Sequence, residues 1–518
     1  MEESTGKLCR IKDYFSGRSV LLTGGTGFIG MALIEGLLSA SPDLGRVFVL
    51  VREKRGMSPE ERVARLLSSE IFAHLSAEAL AKVVPVVGEL TAENLGLSAA
   101  VLAQIRDSVS VVIHNAGLIK FNRTLAEAVQ MNVLSTLRCI DLAKSLHHLS
   151  AFIYSSTVLA NSNVAGRVRE EVYKTNRSPR EMIQLALETP SSLNRIPEFK
   201  EAFIEGHISS YTFTKQLAEN LILEEMAGLP VGIIRPSLVH GFYEHRIPGW
   251  FGSSQSGHCN CMRGHVKGIA RTCVGYPDTQ FTSVPCDYVV KAALCLVVFL
   301  SSQSAPQNKP TIVHLTSTRN ANPLTNQQFC DILNEESWKS PCDSYALLPR
   351  LKLRNGWRME VFFLWLTLFH VIMYIPERVF KLSPKWMRGF RMLSLQYNSM
   401  KFFKEHGIRE SDYCLDNSKD LLRQMHPDDI EKYSFDIDRV NWRKCLAQCL
   451  FWARKSYYRD SGSVTWMHRV VQYLFLGMEC LGYLTVFKIV KFLIMFFTGS
   501  LVLSTTVGLF AALFAYWL

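Results

Sequence analysis

The sequence predicts an α/β protein built on a doubly wound parallel sheet, with a membrane-spanning helix at its C-terminal end. Three observations predict it. Between Ser19 and Ile234 short apolar runs alternate with helical patterns, the signature of βαβ units in a parallel sheet. The first run stops at a glycine-rich turn, Thr23 to Gly30, that opens directly into a helix. The stretch from Phe492 to Leu518 carries no charged side chain and has the length a bilayer crossing needs, roughly 20 residues.

Residues 1–16 read as a lead with neither an apolar core nor a small-residue cleavage site, so no secretory signal is expected and the body of the chain stays in the cytosol. The 13 cysteines, without framework spacing, are then reduced thiols, and the sequon Asn122-Arg123-Thr124 is inert. The 518 residues exceed one ordinary domain, and 48% hydrophobic content supports a core with membrane contact. A net charge of +11 suits an anionic partner such as a nucleotide, coenzyme A or lipid headgroups; no nucleic-acid motif accompanies it, which excludes DNA and RNA.

Strands are expected at Val20–Leu22, Val47–Val51, Val83–Val87, Val109–Ile113, Ala151–Tyr154 and Val231–Ile234, with Thr311–Leu315 at the far edge. Such a sheet binds its ligand at the carboxyl ends of its strands. After the first strand, Gly24, Gly27 and Gly30, with Gly25 extra, permit a tight turn and close approach to a pyrophosphate at the start of the helix opened by Phe28 and Ile29. Thr23 and Thr26 add hydroxyls. After the second strand, where an acidic residue would meet a free ribose 2′-hydroxyl, stand Arg52, Lys54 and Arg55, with Glu53 among them; guanidinium and ammonium groups there predict NADP(H). The fifth run ends in Tyr154-Ser155-Ser156-Thr157. Tyr211 and Lys215 lie four apart on one helical face, a spacing that lets a phenol donate a proton while an ammonium lowers its pKa.

Together these residues resemble the extended short-chain dehydrogenases/reductases, and more finely the alcohol-forming fatty acyl-CoA reductases. The resemblance rests on TGGTGFIG at 23–30, VLVREKRG at 49–56, IHNAGLIKFNRTLAEAVQMNV at 113–133, YTFTKQLAE at 211–219, IIRPSLV at 233–239 with PGW at 248–250, SVPCDYVV at 283–290 and HPDDIEKYSFDIDRVNW at 426–442. It implies a Rossmann-like NADP-binding reductase domain over residues 17–350, a helical C-terminal domain over 351–460 that helps house the acyl chain, and a membrane-anchoring region over 465–518, spanning at about 492–518. It also implies NADPH as cofactor and a long-chain fatty acyl-CoA as substrate, reduced through an aldehyde to a primary alcohol with release of coenzyme A. Glu89 and Leu90 would lie near the adenine, and His114, Asn115 and Ala116 would border the cofactor, with Gly117 where the family usually has Ala. Lys215 would hold the nicotinamide ribose, Tyr211 would donate the proton, and Ser156 or Thr157 would bond the reacting carbonyl. Leu159 stands where the family has tyrosine.

No cysteine is placed by a motif as an acyl-carrying nucleophile, which favours direct hydride transfer. His258, Cys259, Cys261, His265 and Cys273 match no standard metal module, so no metal is expected. Residues 174–200 read as an insertion covering the site, Asp287 as a strut, and Val361 to Ile375 as a buried or membrane-lying helix in which His370 is a core histidine. Lys488 and Lys491 precede the terminal apolar stretch, which places the catalytic body on the cytosolic side of a tail-anchored protein. Val470 to Phe487 is a weaker span because of Glu479. The endoplasmic reticulum is favoured over the peroxisome, and a homo-oligomer is left open. A membrane-bound relative acting on a sterol or sugar nucleotide, or a non-catalytic cofactor-binding scaffold, would share the glycine turn.

Overall fold

The computed structural model describes residues 8–54, 56–119, 123–188, 203–252, 257–268, 270–303, 308–342, 349–354, 411–458, 466–498 and 500–517. Its centre is a seven-stranded parallel sheet of β1 (Ser19–Thr23), β2 (Val47–Val51), β3 (Val83–Val87), β4 (Val109–His114), β5 (Ala151–Ser155), β6 (Val231–Pro236) and β7 (Thr311–Leu315). The order across the sheet is β7-β6-β5-β4-β1-β2-β3. The order reverses between β1 and β4, the point at which a doubly wound sheet opens a crevice for a ligand. Strands β1, β2, β4, β5 and β6 are buried on both faces, which is why they read as unbroken apolar runs rather than alternating ones. β3 is an edge strand with a mixed burial pattern, and there Pro85 costs no ladder hydrogen bond on its open side.

Helix α1 (Phe28–Ala40) leaves the glycine turn directly. Helix α2 (Pro59–Leu67) follows β2 and is closed at its N-terminus by a capping box of Ser58 and Glu61. Before α3 (Ser135–Lys144) the chain makes a π turn at Gln130–Leu134, the kind of local widening that accompanies functional sites. Helix α4 (Ser210–Glu225) is capped by Ser209, whose Oγ accepts from Thr212 N at 3.2 Å; the cap sets Tyr211 in its first turn. Helix α5 (Cys286–Ser302) opens with Asp287, which accepts the backbone N–H groups of Tyr243 (3.0 Å) and Glu244 (2.8 Å), a tie within one part of the fold rather than the strut between lobes expected of it.

Two compact units divide the chain: Met1–His258, Gln280–Leu324 and Ile408–Cys445 in one, and Cys259–Thr279, Thr325–Gly407 and Leu446–Leu518 in the other. The whole sheet belongs to the first. The second contains α6 (Asn326–Lys339) and a pair of helices, α7 (Trp466–Thr498) and α8 (Leu501–Trp517). The expected helix at 361–375, with His370, lies outside the described residues.

The expectation of one spanning helix at about 492–518 is corrected. The helix that holds Phe492 ends at Thr498, a new one starts at Leu501, and Ser500 Oγ caps it by accepting from Leu503 N at 3.2 Å. α8 folds back on α7: a Cβ on Gly508 would stand 2.9 Å from Phe487 O and 3.2 Å from Lys491 Cβ, so a small residue permits this approach. Among the described residues no helix is long and apolar enough to cross a membrane.

Candidate active site

The carboxyl ends of β1, β4 and β5 bring the predicted residues into one crevice. Gly24 has φ of +72°, and a Cβ there would stand 2.7 Å from Ala116 N, so the turn after β1 touches the loop after β4 only because it lacks a side chain. Gly30 is more constrained, since a Cβ would meet Gly24 O at 2.1 Å. Thr26 and Gly27 are exposed at the mouth of α1. This cradle fits a dinucleotide: an open helix N-terminus with free backbone N–H groups faces the crevice, lined by residues too small to block a pyrophosphate.

Thr23 and His114 serve the cradle from beneath. Both are fully buried; Thr23 Oγ1 bonds His114 Nδ1 at 2.7 Å and accepts from Ala116 N at 3.2 Å, while His114 Nε2 bonds Thr136 Oγ1 at 3.1 Å. Burial, with the charge of Lys215, drives the His114 pKa down to about 3, so the ring is neutral. The side chains of Thr23 and His114 are thus committed to internal support beneath the cradle. Around the rim, Arg52 Nη1 pairs with Glu89 Oε2 at 3.6 Å, and Lys54 is exposed. Arg55 lies outside the described residues. A cation that the sequence reading passed over joins them: the Arg62 guanidinium, on α2, bonds Arg52 O, and burial followed by the charge of Arg52 lowers its pKa. A capping box that begins at Ser58, six residues after Arg52, was the signal that a helix returns there.

Lys215 is buried. Its Nζ donates to Ser155 O at 2.7 Å and lies 4.6 Å from the centre of the Tyr154 ring. Burial lowers its pKa to about 8, opposed by the negative charge of Glu219. Tyr211, one turn earlier, has a ring that reaches the surface and an enclosed phenol end next to the Thr157 side chain. Burial raises its pKa to about 12, eased by the neighbouring Thr157 hydroxyl. The expected lowering of the phenol pKa by Lys215 is therefore reversed, because desolvation outweighs the ammonium, whose partners are Ser155 O and the Tyr154 ring. Ser156 and Thr157 separate by partner: the Ser156 hydroxyl donates to Glu219 Oε1 at 2.5 Å, whereas Thr157 faces Tyr211. Gly117 also finds a reason, since a Cβ there would crowd Lys215 Nζ at 3.1 Å and Asn132 Oδ1 at 3.3 Å. Asn132, in the π turn, ties the adjoining loop by accepting from Leu118 N (2.7 Å) and donating to Thr214 Oγ1 (2.9 Å).

Of the cysteine- and histidine-rich segment, His265 bonds Leu333 O at 3.1 Å, and among the described residues no group of three or more metal-binding side chains converges.

A glycine cradle, a sheet reversing at β1/β4 and a Tyr–Lys pair on one helix define an NAD(P)-binding oxidoreductase of the extended short-chain dehydrogenase/reductase class. Likeness to solved structures supports the fold: the terminal reductase domain of the myxalamid biosynthetic pathway aligns with a TM-score of 0.56 at 20% identity, covering 86% of this chain and 92% of that one. A reductase domain of a nonribosomal peptide synthetase from Mycobacterium tuberculosis gives 0.54 at 17%, covering 92% and 96%. An NAD-binding family model described as "Male sterility protein" matches residues 22–293. The chain is 37% identical over 503 residues to a Drosophila melanogaster protein provisionally named a fatty acyl-CoA reductase, covering 96% of this chain and 91% of that one, and 29% identical over 442 residues to fatty acyl-CoA reductase 1 of Rattus norvegicus, covering 84% of each. The chain belongs to the fatty acyl-CoA reductase family.

Proposed function

We propose that this protein reduces long-chain fatty acyl-CoA to the primary alcohol in two hydride transfers, using NADPH. The observation that carries the reading is the placement of Tyr211 next to Thr157, one helical turn from the buried Lys215 and beside the glycine cradle. The cradle at Gly24 to Gly30, Lys215 at the ribose and Arg52, Lys54 and Arg62 at the 2′-phosphate would hold NADPH, which when bound would supply the hydride. Thr157 and Tyr211 hold the thioester carbonyl and stabilise the oxyanion that forms there, and Tyr211 gives up the proton. The tetrahedral hemithioacetal then expels coenzyme A; the aldehyde meets the same two hydroxyls in the second reduction. The cations around Arg52 support NADPH over NADH, since a 2′-phosphate alone rewards them.

The helix pair α7/α8 supports attachment to a membrane. Phe492, Phe496, Leu501, Val502 and Phe510 are exposed around its turn, with Val502 78% open. Lys491 stands seven residues before the end of α7, about 10 Å along the axis. That depth fits one leaflet, whose hydrocarbon half is roughly 15 Å, with Lys488 and Lys491 at anionic headgroups.

The test is oxidation of NADPH by the full chain in detergent with acyl-CoAs of rising length, products identified by mass. Alcohol with two NADPH consumed per acyl-CoA is expected; no consumption by protein that binds NADPH refutes the reading.

A further inference from the structure

Tyr211, Lys215 and Glu219 recur at every fourth position of α4 and so share one face, but the third has no part in the proposed chemistry. Glu219 is completely buried. Its Oε1 accepts from Ser156 Oγ at 2.5 Å and from Arg235 Nε at 2.9 Å, and its Oε2 accepts from Arg235 Nη2 at 2.5 Å. Arg235, equally buried on β6, also donates to Glu171 O (2.8 Å) and Arg169 O (3.2 Å), and its Nη1 meets His314 Nε2 at 3.1 Å. His314 Nδ1 faces Cys414 O at 2.8 Å, so Nδ1 carries the ring proton and Nε2 is the acceptor. A bidentate ion pair enclosed this thoroughly is an unusual way to hold a helix against a sheet, since an apolar contact of the same size stabilises as well. What the pair does that an apolar contact would not is direct a serine hydroxyl and place a negative charge one turn from Lys215.

We propose that Glu219, locked by Arg235, is a positioning residue for the reducing site: it accepts the Ser156 hydroxyl's hydrogen bond, fixing the turn that presents Thr157 and the Ser155 carbonyl, and its charge keeps Lys215 an ammonium. This rests on the function proposed above. Ser156 is pinned on both sides, its N–H to Ile234 O at 2.8 Å and its hydroxyl to Glu219. Its two neighbours are then aimed by backbone alone: Ser155 O at Lys215, Thr157 at Tyr211. The ionisable and charged groups around Lys215 are Tyr211 and Glu219 from its own helix, Tyr154 from β5, neutral His114 from β4, and Arg235 from β6, whose charge Glu219 absorbs. Glu219 is the only anion among them.

The test compares wild type, E219Q and S156A by two readouts. In the cofactor-free protein, hydrogen exchange of the Leu159 amide, which donates to Thr157 Oγ1 at 3.3 Å, reports the turn; about tenfold faster exchange is expected in both variants. In the pH profile of kcat/KM, E219Q should move the alkaline limb down by about one unit, while S156A lowers kcat without moving it. A merely structural pair would lower the melting temperature and leave exchange at Leu159 and the limb where they are, which overturns the proposal. Should E219Q not fold, E219Q/R235Q removes both charges and S156A still decides the turn. Wild type without turnover on acyl-CoA refutes the proposed function alone, and the exchange readout still judges Glu219.

Discussion

Lys215 sets the pH response of this site, and its sign follows from burial. The ammonium loses its water to the protein interior and keeps a carbonyl, a ring face and a distant carboxylate in exchange, so its pKa falls from 10.5 to about 8. Activity that needs the ammonium is therefore lost as pH rises through about 8, while Tyr211, held up at about 12, remains a proton donor. Stability moves the other way. Between about 8 and 10.5 the unfolded chain holds the lysine proton and the folded chain does not, so this group adds stability as pH rises. The expected profile is an alkaline limb in kcat/KM near pH 8 with no fall in melting temperature across it; a limb that tracks unfolding would refute the assignment. Tyr211 and Lys215 were legible in the sequence because a spacing of four is a local property of a helix. Glu219 and Arg235 stood inside quoted segments and went unread, because a charge buried against its partner looks like a solvated one in a string of letters.

The elements were legible wherever burial leaves a mark on composition. All seven strands of the sheet lie within a residue or two of the expected runs; for the five covered on both faces the reason is that such a strand has no polar alternation. The short parallel pairs, 166–168 with 411–413 and 238–240 with 283–285, have no such mark; partners far apart in sequence form them. The glycine turn was readable as a motif, but its glycines do different work. At Gly30 a Cβ meets the Gly24 carbonyl at 2.1 Å, a clash of backbone with backbone that only a shift of α1 against β1 can relieve. Gly27 has only that oxygen nearby, at 3.3 Å, and is exposed to the crevice. Gly30→Ala should thus destabilise the cofactor-free protein by about 1–3 kcal/mol, an overpacking cost. Gly27→Ala should leave its melting temperature alone and weaken NADPH binding by crowding the pyrophosphate. Denaturant melts and cofactor titration of the two variants check this; equal destabilisation would mean that α1 does not seat as described.

For the molecule as a whole, the misread stretch is the apolar end of the chain. Counting charges alone predicts one span from Phe492, because a run of uncharged residues looks continuous whether or not the helix does. The break was written there all the same: Gly499 followed by Ser500 is a helix stop and a helix cap in sequence, and Ser500 does cap α8. Under the membrane attachment proposed above, the consequence would be a different mode of attachment. A single span would carry the chain through the bilayer and leave its end on the opposite side. On that proposal, a hairpin that dips its turn into one leaflet would leave Lys488 and Lys491 at the headgroups and return the end of α8 to the side from which α7 entered. The exposed side chains at the turn should then control partition. The full chain is expected to float with phosphatidylcholine vesicles, more so when anionic lipid is added, and F496D/V502D should reduce flotation at least tenfold while leaving NADPH binding unchanged, since each such charge in the leaflet costs on the order of 2 kcal/mol. A tag placed after Leu518 should be cut by protease added outside sealed vesicles; protection of that tag would restore the spanning helix and remove the hairpin.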